Sequence, residues 1–289
     1  MSSFLIKKGW LVLMATVSLL SCCSTRYADN RPNKKTSSQV PLSTQIEEPL
    51  LFELPSFVQS EKIIHYSSFT VSYNSSTLNP DWVAYELTKE EADGNVTSRN
   101  GRNFVQDPHF KGKQPNYYDY NNTGWDKGHL APAADMKWSV EAMDECFYFT
   151  NCCPQNRDFN GGIWNSLEKN VRSWARKYGR VYVITGPVFT NNQYGTIGTD
   201  KVAIPDGFFK ACVVPKGDGY SAIGFLMENI FLGGSLNSYA CTVDELESII
   251  GLDLFCGLND QIENEIEAVV KWGDWGFAKP RIEKQYDNN

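Results

Sequence analysis

The chain of 289 residues is long enough to bury a substantial core, as one large domain or two small ones. Its apolar fraction of 42% and charged fraction of 21% are those of an ordinary globular protein. The formal net charge of −7 argues against a protein that coats nucleic acid by bulk positive charge, because such proteins neutralise many phosphates with Lys and Arg. An enzyme with a locally basic cleft stays compatible with this balance.

The first residues have the pattern of an export signal. Lys7 and Lys8 precede an apolar run from Leu11 to Leu20, which is short for a membrane span. The ending Leu19-Leu20-Ser21-Cys22 resembles the lipobox of bacterial lipoproteins, in which the cysteine carries the lipid. We therefore predict a signal peptide over residues 1–21, a membrane anchor on Cys22 and export from a bacterial cytoplasm to the cell envelope or surface. A plain signal peptide that is cleaved nearby is the alternative.

The rest of the chain divides by composition. Residues 22–50 are polar and carry Pro32 and Pro41, which predicts a tether. Apolar and aromatic residues then thicken, so we expect one folded domain over residues 51–280 and a tail over residues 281–289. The domain holds six cysteines, and an even set in an oxidising compartment suggests disulfides without fixing the pairing. They are Cys146, Cys152, Cys153, Cys212, Cys241 and Cys256.

Within the domain, predicted strands outnumber predicted helices. Apolar runs bounded by turn residues predict six strands: Ile63–Tyr73, Trp82–Leu87, Phe147–Asn151, Val181–Thr185, Phe208–Val214 and Tyr220–Met227. Helical periodicity predicts helices from Trp164 to Tyr178 with Gly179 as the stop, from the capping box at Thr242 to Gly251, and from Asp260 to Val270. Because no regular βαβ alternation occurs, we expect an α+β fold with a central, mostly antiparallel sheet.

The segment from Asp126 to His129, Asp-Lys-Gly-His, concentrates acid-base chemistry. The whole chain has three histidines, and His129 follows an acid and a base within three residues. Residues 99–180 carry twelve Lys and Arg against nine Asp and Glu, so this segment is +3 inside an acidic chain. A basic island of this kind suits an enzyme that acts on an anionic polymer. The alternative is that this segment has no catalytic role and is a turn capped by Asp126, with His129 hydrogen-bonded as a structural residue.

A second candidate centre follows at the start of the long predicted helix. Asn160 precedes Gly161-Gly162, and Glu168 lies eight residues further on. The glycines leave room for a bulky ligand or a hydrated ion beside the Asn carboxamide. Amide and carboxylate oxygens with water suit a hard cation such as Mg²⁺, which keeps several waters and needs few protein ligands.

These motifs, taken together, resemble the DNA/RNA non-specific endonucleases, the ββα-metal nucleases whose signature is Asp-Arg-Gly-His. The resemblance covers about residues 60 to 260 in order and spacing. Its motifs are Trp82-Val83-Ala84-Tyr85, Arg102-Asn103-Phe104, Asp107-Pro108, Asp126 to Pro132, Asn151 with Pro154-Gln155, Asn160 with Trp164, Leu167 and Glu168, Arg172, Thr185-Gly186-Pro187, Ile204-Pro205 and Thr242 to Glu245.

The resemblance implies a ββα-metal motif and a division of roles in phosphodiester hydrolysis. His129 is similar to the general base that takes a proton from the attacking water. Asn160 matches the one direct protein ligand of Mg²⁺, for which Mn²⁺ can substitute. Glu168 matches a residue that orders water around the metal.

Three further positions match residues with supporting roles. Arg102 and Arg172 would hold the scissile phosphate, and Asn151 would support the metal-water cluster or the substrate. The implied substrates are DNA, RNA or both, with little sequence preference, and the products are 5′-phosphorylated fragments.

One position departs from the family signature, because Lys127 stands where the family usually has arginine. Lysine keeps the charge and loses the planar, bidentate fork. If the position only balances charge, activity survives, whereas a phosphate clamp would be weakened. Two other functions stay open: a surface lipoprotein that binds nucleic acid without cutting it, and a phosphodiesterase that acts on small nucleotides.

Overall fold

The computed structural model describes residues 53–57 and 62–280. Eleven strands are present in this part of the chain: β1 (Lys62–His65), β2 (Thr70–Asn74), β3 (Asn79–Thr88), β4 (Trp125–His129), β5 (Cys152–Asn156), β6 (Arg180–Val188), β7 (Thr196–Ile197), β8 (Val202–Ala203), β9 (Gly207–Lys216), β10 (Gly219–Glu228) and β11 (Ala240–Cys241). Seven of them form one sheet in the order β1-β2-β3-β6-β9-β10-β11, with every neighbouring pair antiparallel. The predicted α+β class with a mostly antiparallel sheet is confirmed.

The described residues also form six α-helices, four of which contact the sheet. They are α1 (Lys89–Asp93), α2 (Val140–Glu145), α3 (Arg157–Phe159), α4 (Asn165–Tyr178), α5 (Val243–Ile250) and α6 (Asp260–Glu267), with a π-helical turn over Asn160–Trp164 and 3-10 turns over Tyr117–Tyr120, Phe149–Asn151 and Leu236–Tyr239. The capping box at Thr242 is formed, and Gly251 ends α5 in the left-handed conformation at φ 69°. Both ends of that helix therefore lie where the sequence predicts them.

The core forms where α4 packs on the central strands β6 and β9. Leu167, Val171 and Trp174 are buried on one face of α4, as the three- and four-residue spacing predicts. The ring of Trp174 meets that of Trp275 edge to face, with centroids 4.8 Å apart. This packing fixes the direction of α4 and of the side chains at its N-terminal end.

A separate two-stranded ribbon, β4 with β5, leads into that end of α4. The antiparallel register pairs His129 with Cys152 and Gly128 with Cys153. A Cβ atom at Gly128 would lie 2.1 Å from the side chain of Gln155, so only glycine allows this close packing. Ribbon, turn and helix together form the ββα unit that the resemblance implies.

Several sequence predictions need correction. Phe147–Asn151 is a turn and a 3-10 segment rather than a strand, and the strand begins at Cys152. The third helix ends at Glu267 instead of Val270, and β3 begins at Asn79, so Pro80 lies inside it. The expectation of disulfides is not met at Cys146, Cys152, Cys153, Cys212 and Cys241, which are free thiols in the described part of the chain.

The predicted signal peptide, the Cys22 anchor, the tether and the tail lie outside the residues that the structure describes. Among those it describes, no helix has the length and apolar character needed to cross a membrane.

Candidate active site

His129 ends β4 and is almost enclosed, with 9% of its surface exposed. Its ring packs at 4.4 Å, centroid to centroid, against Phe104 and at 4.8 Å against Phe147. Its Nε2 atom is buried without a hydrogen-bond partner. Burial and the nearby positive charge of Arg99 lower the pKa of His129 to about 3. The imidazole is therefore uncharged at neutral pH, which is the state that a general base requires.

Arg99 is a functional candidate that the sequence did not single out. Its guanidinium lies 5.8 Å from the centre of the Phe147 ring, which itself contacts His129. The side chain is exposed, and its charge acts on both His129 and Glu168. The available signal was its place in the basic segment, three residues before Arg102. A phosphate that approaches His129 would meet this cation.

Asn160 opens the π-helical turn and is half-buried. Its Nδ2 atom donates a hydrogen bond of 3.3 Å to Asp126 Oδ2. The other oxygen of Asp126 accepts a hydrogen bond of 3.2 Å from Arg157 Nε. Asp126 thus ties the Asn160 amide nitrogen to β4, the strand that carries His129, and the Asn160 carboxamide oxygen is the atom left for a ligand.

Glu168 lies in the first turn of α4 and is half-buried. Burial raises the pKa of its carboxyl group to about 7, while the positive charge of Lys210 opposes that rise. It forms no hydrogen bond and no ion pair within 4 Å with another residue that the structure describes. A carboxylate in this state is available to bind water or a cation.

Lys210 is the second residue that sequence reasoning missed. It lies inside β9, its side chain is fully buried, and its Nζ atom has no hydrogen-bond partner. The ammonium group lies 4.8 Å from the centre of the Trp164 ring. A lysine inside an otherwise apolar predicted strand was the signal, since lysine is almost never fully buried without a partner charge.

Arg172 lies one helical turn after Glu168, but its ion pair is with a different carboxylate. The Nη1 atom of Arg172 donates to Asp135 Oδ1 at 2.6 Å, and 12% of the Arg172 side chain is exposed. Asp135 is fully buried and also accepts a hydrogen bond of 3.0 Å from the Tyr85 hydroxyl. Asp135 therefore holds the guanidinium group of Arg172 in place, and the charge of Arg172 also acts on Glu168.

Asn151 is fully buried, and its side-chain amide is bonded to backbone. Its Oδ1 accepts a hydrogen bond of 2.9 Å from the Ala131 nitrogen, and its Nδ2 donates to the carbonyl oxygens of Ala131 and Cys146, both at 2.9 Å. These bonds fix the chain two residues after His129. The geometry gives Asn151 a positioning role rather than contact with a substrate.

Arg102 stands apart from the other predicted residues. Its Nε atom donates to Asp144 at 2.5 Å, and its Nη1 atom donates to the Ser98 carbonyl at 2.6 Å. None of its contacts is with His129, Asn160 or Glu168.

Lys127, the departure from the family signature, lies beside two aromatic rings. Its Nζ atom lies 4.2 Å from the centre of the Tyr117 ring and 5.2 Å from that of Tyr120. This arrangement uses the positive charge and does not require a planar fork.

His129, Asn160 and Glu168 all lie on one ββα unit, the motif that gives the fold of the ββα-metal nucleases its name. A family model of the DNA/RNA non-specific endonucleases matches residues 53–261. The chain belongs to this family, and it is a hydrolytic enzyme.

Named relatives agree. The chain is 31% identical over 263 residues to the mitochondrial nuclease EXOG of Xenopus laevis. That alignment covers 86% of this chain and 72% of the relative. It is 34% identical to the mitochondrial endonuclease G of Bos taurus over 64% of this chain and 66% of that protein. A crystal structure of endonuclease G in complex with its inhibitor EndoGI matches with a TM-score of 0.67 and 27% identity, over 77% of this chain and 96% of that one.

The predicted localisation is wrong. The relatives that match at this level of identity are named as mitochondrial nucleases and not as exported bacterial lipoproteins.

Proposed function

We propose that the protein is a Mg²⁺-dependent endonuclease that hydrolyses phosphodiester bonds of DNA and RNA with little sequence preference. Residues 51–280 would form the catalytic domain, and the products would carry 5′-phosphates. One observation carries the proposal: a buried, uncharged His129 stands at the end of the strand to which Asp126 ties Asn160.

The donor set fits a hard cation. Asn160 offers its carboxamide oxygen, since its nitrogen is bonded to Asp126 at 3.3 Å. Glu168 adds a half-buried carboxylate in the same ββα unit. Mg²⁺ takes oxygen ligands and keeps several waters, and Mn²⁺ accepts similar ligands. When bound, the cation would shield the negative charge of the phosphoryl oxygens.

The protein residues divide the remaining work. His129 would accept the proton of the attacking water, because its ring is unprotonated at neutral pH and hydrolysis needs a base behind the nucleophile. Arg172 and Arg102 would hold the scissile phosphate, with Arg99 as an exposed cation nearer to His129. Asn151 would keep the chain after His129 in position through its three backbone hydrogen bonds.

The test is to incubate the full chain with supercoiled plasmid and with RNA, in Mg²⁺ or in excess chelator. We expect Mg²⁺-dependent degradation of both substrates, and we expect DNA ends to accept a kinase-transferred phosphate only after phosphatase treatment. A shifted but uncut plasmid band would indicate a binding protein. Hydrolysis of a small chromogenic diester with both polymers intact would indicate a nucleotide phosphodiesterase.

A further inference from the structure

A second group of carboxylates lies on helices that carry none of the active-site residues. Asp244 and Glu247 belong to α5, and Glu267 is the last residue of α6. One oxygen from each of the three lies within 4.8 Å of the others. Both helices pack on β10, so the cluster sits where α5 and α6 meet the same strand.

Glu267 sets this group apart from ordinary surface acids. The residue is 4% exposed, and its Oε1 atom is buried without a hydrogen-bond partner. Glu263, one turn earlier, also has a buried Oε1 atom without a partner. Burying a carboxylate without a partner is costly, because the charge loses its hydration and gains nothing in exchange.

Nothing basic offsets these charges in the part of the chain that the structure describes, where no Lys, Arg or His forms an ion pair with the cluster. The group therefore needs either protons or a cation.

We infer that Asp244, Glu247 and Glu267 bind a divalent cation of the calcium type, which joins α5 to α6. One oxygen of each residue lies close enough to the others for all three to contact one ion. Calcium takes several oxygen ligands in a flexible arrangement, so three carboxylates from two helices suit it. Magnesium demands near-ideal octahedral geometry and usually keeps several waters beside one or two carboxylates. The all-carboxylate set excludes softer metals, which prefer nitrogen and sulfur.

This cation would be structural and independent of catalysis. It would neutralise the buried Glu267, and it would join α6 to α5 beside the sheet. The inference does not depend on the proposed nuclease mechanism, because none of the three residues belongs to the ββα unit.

The test is thermal unfolding and calorimetric titration of the metal-stripped full chain with Ca²⁺ alone or Mg²⁺ alone, in the wild type and in Asn160→Ala, which removes the active-site ligand. We expect Ca²⁺ at a hundred times its Kd to raise Tm by about 5–10 °C in both proteins. Mg²⁺ at the same concentration should give a smaller shift. An equal or larger shift with Mg²⁺ in Asn160→Ala would contradict the calcium assignment.

Variants then locate the site. Glu267→Gln keeps the side-chain volume and should abolish the Ca²⁺ shift, whereas Glu265→Gln on the same helix should keep it, since Glu265 is exposed and its one ion pair is to Lys271. Asp244 is exposed, so Asp244→Asn should leave folding intact. The variant should bind Ca²⁺ at least tenfold more weakly in the calorimeter. An unchanged Ca²⁺ response in Glu267→Gln and Asp244→Asn, or no response in the wild type, would overturn the inference.

Discussion

Asp126 and Asn160, 34 positions apart in sequence, are joined by a hydrogen bond of 3.3 Å from the carboxamide nitrogen to a carboxylate oxygen. The bond decides which atom of Asn160 is available, because an amide whose nitrogen is bonded to a carboxylate presents its oxygen elsewhere. The aspartate of the signature motif therefore orients the candidate metal ligand.

Changing Asp126 to asparagine should weaken metal binding more than the chemical step. Asparagine can donate as well as accept, so the orientation of the Asn160 amide is no longer enforced. Loss of such a supporting hydrogen bond typically costs 10- to 100-fold in metal affinity. We expect the Mg²⁺ concentration for half-maximal cleavage to rise at least about tenfold in Asp126→Asn, with the rate at saturating Mg²⁺ falling less.

Arg157→Ala is the matched control, because Arg157 is the other residue that bonds to Asp126. The side chain of Arg157 is 78% exposed. Its Mg²⁺ dependence should stay within about twofold of the wild type, because exposed ion pairs contribute little. A Mg²⁺ dependence in Asp126→Asn equal to that of Arg157→Ala would show that Asp126 does not orient Asn160.

Replacing Lys127 with arginine should have little effect, whereas replacing it with a neutral residue should destabilise the protein. Its ammonium group lies 4.2 Å from the Tyr117 ring centre and 5.2 Å from that of Tyr120, a contact that either cation can make. We expect kcat/KM of Lys127→Arg to stay within about threefold of the wild type, and Lys127→Met to lower the midpoint of thermal unfolding. A gain of more than tenfold in kcat/KM for Lys127→Arg would instead indicate that the position clamps a phosphate through two bonds.

Much of the fold follows from sequence because local pattern and tertiary packing agree. In α4 the apolar spacing of Leu167, Val171 and Trp174 matches the face that packs on the sheet. The segment Phe147–Asn151 shows the opposite case. A short apolar run fits a strand or a buried turn equally well, and here Phe149 bonds to Val105 through its backbone while the chain forms a 3-10 turn.

The site was only partly predictable for a similar reason. Motif spacing points to His129, Asn160 and Glu168, but it carries no information on contacts between distant segments. Lys210 joins the surroundings of Glu168 only because β9 lies beside β6 in the sheet. The bonds of Asn151 to Ala131 and Cys146 likewise depend on how the ribbon closes.

The uncharged state of His129 predicts a pH effect on folding. In the unfolded chain histidine has a pKa near 6.5, and in the folded protein that of His129 is about 3. Between these values the unfolded state binds more protons, so the free energy of unfolding decreases as the pH falls from 6.5 towards 3.

Urea unfolding of the metal-free protein between pH 4.5 and 7.5 measures this effect. Below pH 6.5 the free energy of unfolding of the wild type should change more steeply with pH than that of His129→Asn, by up to about 1.4 kcal/mol per pH unit. The reason is that the asparagine side chain does not titrate. Parallel curves for the two proteins would mean that His129 is protonated equally in the folded and unfolded chains.

The central claim, that His129 is the base of a phosphodiester hydrolysis, is tested most directly by plasmid cleavage with His129→Ala in saturating Mg²⁺. General-base catalysis contributes about 10²- to 10⁴-fold, so we expect the rate to fall by at least about 100-fold while nucleic-acid binding in a gel shift changes less than threefold. His109→Ala, which removes an exposed histidine, serves as the control and should cleave at the wild-type rate. Cleavage by His129→Ala within threefold of the wild type would contradict the account.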